Sequence, residues 1–468
     1  MVRFFVVFFL LLFAPTLVSA QSATEVQELR QLVEAQQAVI QDLQQRIENL
    51  EQQEVSVTPP PVPVVAAPQP PAHPNQLSAY WDKGVHLESE DGDFKVSLGG
   101  RLQVDGAWFR HDSDFTTIGA FFPEYGLGDE DDALEFRRAR LALSGKAYGY
   151  LAFRAEYEFA VDSPGGDGGA FREVWVGMEN LPYAGNVRLG NFKEPFSLEE
   201  ITTDNGTVFM ERALPNALAP SYNLGMAFQN SYLNKRMSVG AGLFKTTDDW
   251  PSENDSDEGQ GYAVTARVTG LPWYDPDNSR LLHLGASYSH RNPDGPVRFR
   301  QRPEAHLANY YGNTGNFLVD DLDLYGLEAA LVLGPWSLQG EYIHAAADTY
   351  LEGDSDFSGY YVLGSWLLSG ESRPYATGTG AFEQIVPARN FHPTEGGWGA
   401  WELALRYSAL DLDDGLVRGG RLSDYTLGMN WYLNPNARIM LNYVHGNIDH
   451  DLYGGNFQAL QTRFQINF

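Results

Sequence analysis

Apolar and polar positions alternate along most of this chain. In the closing stretch LQTRFQINF, Leu460, Thr462, Phe464, Ile466 and Phe468 fall on one side, and Gln461, Arg463, Gln465 and Asn467 on the other. A period of two marks a strand with one apolar and one polar face. KVSLGGRLQVDGAW repeats it, with Val96, Leu98, Leu102, Val104 and Trp108 opposing Lys95, Ser97, Arg101, Gln103 and Asp105. LAFRAEYEF from Leu151 and WELALRYS from Trp401 do the same, charges on one face and aromatic or aliphatic residues on the other. Such strands suit lipid outside and water inside, and predict an all-β fold, a transmembrane antiparallel β-barrel of about 16 strands. The barrel is expected to span residues 79–468, with Phe468 in the apolar register of the closing strand.

The connections carry a second signal. Tight ones near Tyr148, Pro182, Asn234, Pro335 and Pro435 alternate with longer, acidic, glycine-rich ones. Outer-membrane barrels place short turns on the periplasmic side and long loops outside. The stretch around Arg300 reads as part of a loop. Segment 370–398 breaks the alternation, being long where a short turn is due. Either it has an ordered role of its own or it hides a strand pair.

The pattern changes before residue 79. Residues 1–20, MVRFFVVFFLLLFAPTLVSA, have an early Arg3, an apolar run and a small-residue end, the marks of a secretory signal peptide. In residues 21–53, Val26, Val33, Ile40 and Ile47 recur every seven positions, with Leu29, Gln36, Leu43 and Leu50 three further on. Heptads of this kind predict a short coiled-coil stalk, roughly 45 Å long if fully helical. β-branched a positions with leucine at d lean towards a dimer, and the polar layer at Gln36 weakens that preference. Residues 54–78 are dense in proline and read as a semi-rigid spacer. The stalk is expected in the periplasm.

Composition then narrows the function. A mean hydropathy of −0.32 is far too low for a bundle of membrane helices, whereas a barrel with a wet interior tolerates it. A net charge of −29 argues against a nucleic-acid partner. The acids concentrate near Asp129 and from Thr246, where they read as solvated loops. There is no cysteine, no phosphate-cradling loop, no HExxH and no zinc-ligand spacing, and the ten histidines are scattered. No enzyme activity, metal or cofactor is expected.

Six stretches carry a family likeness. They are LGNFKEPFSLEEITTDNGTVFMERALPNALAPSYNLGMAF from Leu189, EFRRARLALSG from Glu135, FRQRPEAHLA from Phe299, LGPWSLQGEYI from Leu333, GYYVLGSWLLSGESRPY from Gly359 and GAWELALRYSALDL from Gly399. Together they resemble the phosphate-selective porin O and P family, over about residues 95–468. The resemblance implies a trimeric, sixteen-stranded outer-membrane channel for phosphate-type anions. It also implies that the third and fifth extracellular loops, 194–222 and 292–320, fold inward. An inward-folded periplasmic segment would account for the length of 370–398. The implied partners are outer-membrane lipid, small inorganic anions and two further copies of the chain.

The candidate pore residues are cationic, because a planar guanidinium meets a phosphate oxyanion with two charge-assisted bonds. Arg298, Arg300 and Arg302 occupy every second position and share one side of an extended segment. The family's arginine ladder includes such a triplet; the edge of a solvated loop is the alternative. Arg138 and Arg140 share a face opposite Leu141 and Leu143, with Arg137 expected near the outer edge, and Arg101 lies on the polar face of its strand. Arg154, Arg267, Arg406, Arg438 and Arg463 fall on polar faces too, as do Asp105, Glu156, Glu158, Glu328, Glu341 and Glu402. More arginine than carboxylate is expected inside, although an ion pair within the wall is the simpler role for any one of them. Lys193 and Arg212 either line a constriction or pair with the adjacent Glu194 and Glu211. The expected function is an outer-membrane porin, a water-filled channel for small anions such as phosphate or polyphosphate. A general diffusion porin that tolerates cations and a structural tether working through the stalk remain alternatives. The overall acidity supports "porin" better than "phosphate".

Overall fold

The computed structural model describes residues 41, 45–46, 77–82, 84–112, 130–160, 170–246, 261–350 and 353–468. The leader, nearly all of the heptad segment, the proline-rich spacer up to residue 76 and most of the acidic run after Thr246 lie outside the described residues.

Sixteen strands build the barrel. They are β1 (Phe94–His111), β2 (Ala133–Ala147), β3 (Leu151–Glu158), β4 (Ala170–Leu181), β5 (Gly185–Lys193), β6 (Tyr222–Tyr232), β7 (Met237–Lys245) and β8 (Tyr262–Asp275). After these come β9 (Arg280–Asn292), β10 (Phe317–Leu333), β11 (Trp336–Thr349), β12 (Ser355–Leu367), β13 (Ala400–Asp414), β14 (Val417–Asn434), β15 (Ala437–His450) and β16 (Tyr453–Asn467). Each pairs antiparallel with its sequence neighbour, and β16 closes on β1 from Phe457↔His111 to Asn467↔Arg101. Phe468 completes the seam: its N–H donates to Gly100 O at 3.0 Å, and Gly100 N–H donates to Phe468 O at 2.6 Å. Closure leaves no unpaired edge, which a wall facing lipid requires.

The period of two sorts the side chains as the sequence implies. Along β10, Val319, Leu322, Leu324, Glu328 and Val332 are buried inward, while Leu318, Tyr325, Leu327 and Leu333 are exposed outward. The outer face carries stacked tryptophan pairs, Trp336 on Trp366 at 4.6 Å and Trp401 on Trp431 at 4.9 Å. Aromatic girdles of this kind mark the membrane–water boundary.

At one end most connections are short: 148–150, 182–184, 233–236, 276–279, 334–335 and 435–436. The exception is 368–399, where the sequence pattern also breaks. No barrel strand is hidden there; its short Tyr375–Ala376 and Ala381–Phe382 pair only with each other. Phe382 packs with Leu198, Leu271, Leu281 and Val332, so the segment turns up into the barrel. At the opposite end the long loops include 194–221 between β5 and β6, and 293–316 between β9 and β10.

Two features differ from a barrel that is simply greasy outside and wet within. The inner surface near the long-loop end is apolar, because both of those loops fold in against it. Phe196, Leu214 and Leu218 from the first, and Phe299, Ala305, Ala308 and Tyr311 from the second, pack on Leu324, Ile343, Phe357, Leu410, Leu422 and Phe457. Each fully buried Leu or Phe in this layer contributes about 1.5–3 kcal/mol. The second feature is an N-terminal hairpin, Leu77–Trp81 with Val85–Ser89, which extends β1 by pairing Val85 with Leu98 and Glu88 with Lys95. It occupies the lane that β16 vacates at Phe468, and alternation in the sequence gave no sign of it.

Candidate functional site

The loop 194–221 is held inside the barrel by carboxylates that meet wall arginines. β5 ends at Lys193, and a turn at Ser197 (φ +61°) starts a single helical turn, α1 (Leu198–Ile201). Ser197 Oγ accepts from Glu200 N–H at 3.1 Å. The orphan N–H groups of Leu198 and Glu199 donate to the Glu341 carboxylate on β11, at 2.8 and 2.7 Å. Free N–H groups at a helix start need acceptors, and the positive end of the turn favours an anion there. Glu341 is one of the inward acids of the alternation, and the loop gives it its work.

Beyond α1 the loop crosses the lumen and reaches the opposite wall. Asp204 is the node. Its carboxylate lies 2.8 Å from Arg101, 3.0 Å from Arg138, 3.3 Å from Arg140 and 3.2 Å from Arg212. Glu211 takes Arg137 in a two-bonded pair at 3.0 Å and Arg463 at 2.7 Å, while Arg463 also holds Asp105 at 2.6 Å. Arg438 donates to the loop carbonyls of Thr207 and Asp204 at 2.9 and 2.6 Å. Burial works to raise the Asp204 carboxyl, but Arg138, Arg212, Arg101 and Arg140 overcome it and hold it well below the ordinary carboxylate range. Glu211 behaves likewise: burial opposes, Arg137 and Arg463 prevail.

The loop 293–316 is anchored through Glu304, whose carboxylate is fully buried. It accepts from Arg406 at 2.5 Å, from Ser408 Oγ at 2.5 Å and from Thr426 Oγ1. Arg406 bridges the two loops, since its other arm reaches Glu199 at 3.2 Å. Ahead of Glu304 the chain runs extended. Phe299 turns into the apolar layer, while Arg298 and Arg300 are exposed and Arg302 half-buried. Arg300 and Arg302 both lie against the Tyr310 ring, 4.4 and 4.3 Å from its centroid. Arg298 donates to Asn313 Oδ1 at 2.8 Å. Neither Arg298 nor Arg300 has a carboxylate partner among the described residues.

A closed barrel narrowed by two inward loops, with Arg298 and Arg300 left facing water, is channel architecture. The model of the phosphate-selective porin O and P family matches residues 108–468. The chain belongs to that family. Porin O of Pseudomonas aeruginosa is 28% identical over 408 residues, covering 78% of this chain and 86% of that protein. An uncharacterized protein of Caulobacter vibrioides is 29% identical over 470 residues, covering 92% of this chain and 87% of its own length. Among solved structures, the anion-selective porin from Comamonas acidovorans superposes with a TM-score of 0.51 at 15% identity, covering 80% of this chain and all of that one, a likeness of fold. The protein is an outer-membrane porin channel, and family and fold are those of a channel rather than an enzyme.

Within the porin, the arginines expected from the sequence divide into two groups. Arg101, Arg138, Arg140 and Arg212 converge on Asp204, and Lys193 binds the Glu200 carboxylate at 2.9 Å. Arg212 also reaches Glu200, at 3.1 Å. Lys193 and Arg212 are thus paired, but not with their neighbours: Glu194 goes to Arg291 at 2.9 Å, and Glu211 to Arg137 and Arg463. Arg298 and Arg300 form the other group, exposed and outside these buried pairs, while the half-buried Arg302 lies against Tyr310.

Arg137 corrects the simple alternation, which puts it at the outer edge. The β1–β2 register passes from Gln103↔Arg138 to Val104↔Phe136, so Arg137 is the extra residue of a bulge. The bulge turns Arg137 and Arg138 both inward and leaves Phe136 64% exposed outside. Alternation also missed Asp204, Glu304 and Tyr310. All three lie in loops, where a two-residue period says nothing about direction.

The pH behaviour of the Asp204 node has a definite sign. A carboxyl whose folded pKa is depressed stabilises the fold fully above its unfolded value, about 3.9 for Asp, and loses that contribution as pH falls through the folded value. The barrel is therefore expected to lose less from Asp204→Asn at acid pH than at neutral pH, read as unfolding temperature from pH 7 down to about 3. An Asn penalty that stays constant across that range would show that Asp204 is not held ionised by its arginines.

Proposed function

We propose that the porin passes small anions, phosphate and polyphosphate among them, by passive diffusion past the Arg298–Arg300–Arg302 row. The observation that carries this reading is that Arg298 and Arg300 are exposed and committed to no carboxylate among the described residues, whereas Arg101, Arg138, Arg140, Lys193 and Arg212 are locked into buried pairs. Tyr310 and Phe299 fix the row in place. A series of weakly occupied sites lets an ion leave as readily as it enters. The family's description, phosphate-selective porin O and P, and the name of the anion-selective porin of Comamonas acidovorans, alike in fold, are in keeping with it. The working unit of this proposal is a homotrimer, with the heptad segment gathering the chains in the periplasm.

The neutralised wall supports a second reading, a general diffusion porin. Asp204, Glu200, Glu211 and Glu304 each engage and partly neutralise inner cations, and the chain as a whole is strongly acidic. Planar-bilayer recordings separate the two. Reversal potentials in a salt gradient are expected to show anion preference, and phosphate is expected to block chloride current. Exchanging Arg300 and Arg302 for Gln together should abolish that block and lower the anion preference several-fold. Cation preference with no phosphate block would select the general porin.

A further inference from the structure

The lipid-facing wall carries a groove of its own. Antiparallel register sets two outward rows near the short-turn end. The first runs Arg280, Leu333, Trp336, Trp366 and Leu403 across β9 to β13. The second, two residues further along each strand, runs Leu331, Leu338, Gly364, Leu405 and Leu427. Gly364 is the one member of the second row without a side chain, and a Cβ placed there meets nothing nearer than 3.9 Å. The missing side chain opens a cavity of about 510 Å³, walled by Leu338 and Leu405 and closed below by Trp366. Trp336 and Trp366 stack almost parallel, at 7°, and stiffen that lower edge.

Inside a bilayer a groove gains no hydrophobic free energy by filling, because the surrounding chains are as apolar as its walls; retention has to come from shape and from a polar anchor. Both are present. The volume falls in the range of small-molecule sites, roughly 300–1,000 Å³. Tryptophans mark the headgroup level. Arg280 carries the tryptophan row onto β9, where its register partner on β8 is Asp275; it is exposed and outward, and forms no ion pair among the described residues. It stands two strands from Trp336, about 10 Å away at normal strand spacing. A guanidinium there suits a phosphodiester, which it meets with two bonds.

We propose that this groove binds one glycerophospholipid of the periplasmic leaflet, with an acyl chain in the Gly364 notch and the phosphate on Arg280. The leaflet follows from the turn 334–335, which lies at the short-turn end, the periplasmic side in barrels of this class.

Native mass spectrometry of the full-length protein, extracted in mild detergent, tests the site. The wild type is expected to retain one phospholipid per chain. Gly364→Leu fills the notch and should lower the retained fraction about tenfold, and Arg280→Gln should lower it less but measurably. Single-channel conductance should not change in either variant, since both positions face away from the lumen. The proposal is overturned if the wild type carries no lipid, or if both variants retain it at the wild-type level. It is equally overturned if Gly364→Leu separates the copies of the chain and leaves bound lipid unchanged, which would place a second copy in the groove. Should Gly364→Leu fail to fold, Arg280→Gln decides alone.

Discussion

Asp204→Asn is expected to make the channel markedly more anion-selective while weakening the barrel. The substitution keeps the shape of the side chain and removes the one charge that Arg101, Arg138, Arg140 and Arg212 share. Removing one partner of a buried ionic cluster costs about 3–5 kcal/mol, because the remaining charges stay desolvated. Near the lumen some water reaches them, so a loss of about 3 kcal/mol is expected, read as a lower unfolding temperature of the purified barrel. A unit charge about 8 Å from a passing ion, in an effective dielectric near 40, is worth roughly 1 kcal/mol, and screening at 0.1 M salt about halves it. The effect has opposite signs for anions and cations. The permeability ratio should therefore shift towards anions by about fivefold, and by more in dilute salt. An unchanged reversal potential would mean that the four arginines lie out of reach of the permeating ion and serve only to hold the loop.

Glu304→Ala acts on the other inward loop and is expected to widen the pore. Glu304 is the only loop carboxylate here that accepts from Arg406, Ser408 and Thr426 together, on two neighbouring strands. Without it, Arg406 keeps Glu199, but the hydroxyls of Ser408 and Thr426 lose their acceptor in a buried place. Unsatisfied buried groups cost about 1–3 kcal/mol each, enough to offset much of the apolar packing of Phe299 and Ala305. The segment bearing Arg298, Arg300 and Arg302 should then leave the wall. Single-channel conductance is expected to rise, phosphate block to weaken, and proteases to gain access to 293–316. A variant that keeps wild-type conductance and phosphate block would show that the apolar layer alone holds the loop in register.

The two substitutions probe opposite parts of one arrangement. On the wall arginines outnumber what the pore presents, and the loops bring the acids that neutralise them. The arginine triplet differs because Phe299, at the alternate position, takes the contact with the wall. Arg298 and Arg300 are thereby exposed, Arg298 bonded to Asn313 and Arg300 resting on Tyr310, with no carboxylate partner among the described residues.

Much of this was readable along the chain. Leu318, Tyr325 and Leu327 outward against Leu324, Glu328 and Val332 inward is a local consequence of the pleat, and alternation reveals it without any partner strand. The same rule put Arg298, Arg300 and Arg302 on one side of their segment, and Phe299 between them turns into the apolar layer. The rule failed at Arg137, where one extra residue in β2 reverses the face of everything towards the long-loop end. For Lys193 and Arg212 the sequence left two roles open, lining a constriction or pairing with Glu194 and Glu211; the pairs formed are with Glu200 and Asp204.

By itself, then, the sequence determined the closed, lipid-facing wall and the direction of most of its side chains, because a period of two is a property of consecutive residues. Tertiary structure alone decided which charges remain free. Arg463 meets Asp105 across 358 residues, Arg406 meets Glu199 across 207, and Arg140 meets Asp204 across 64. Such pairs exist only once the ring has closed and the loops have turned inward, and no spacing along the chain encodes that distance.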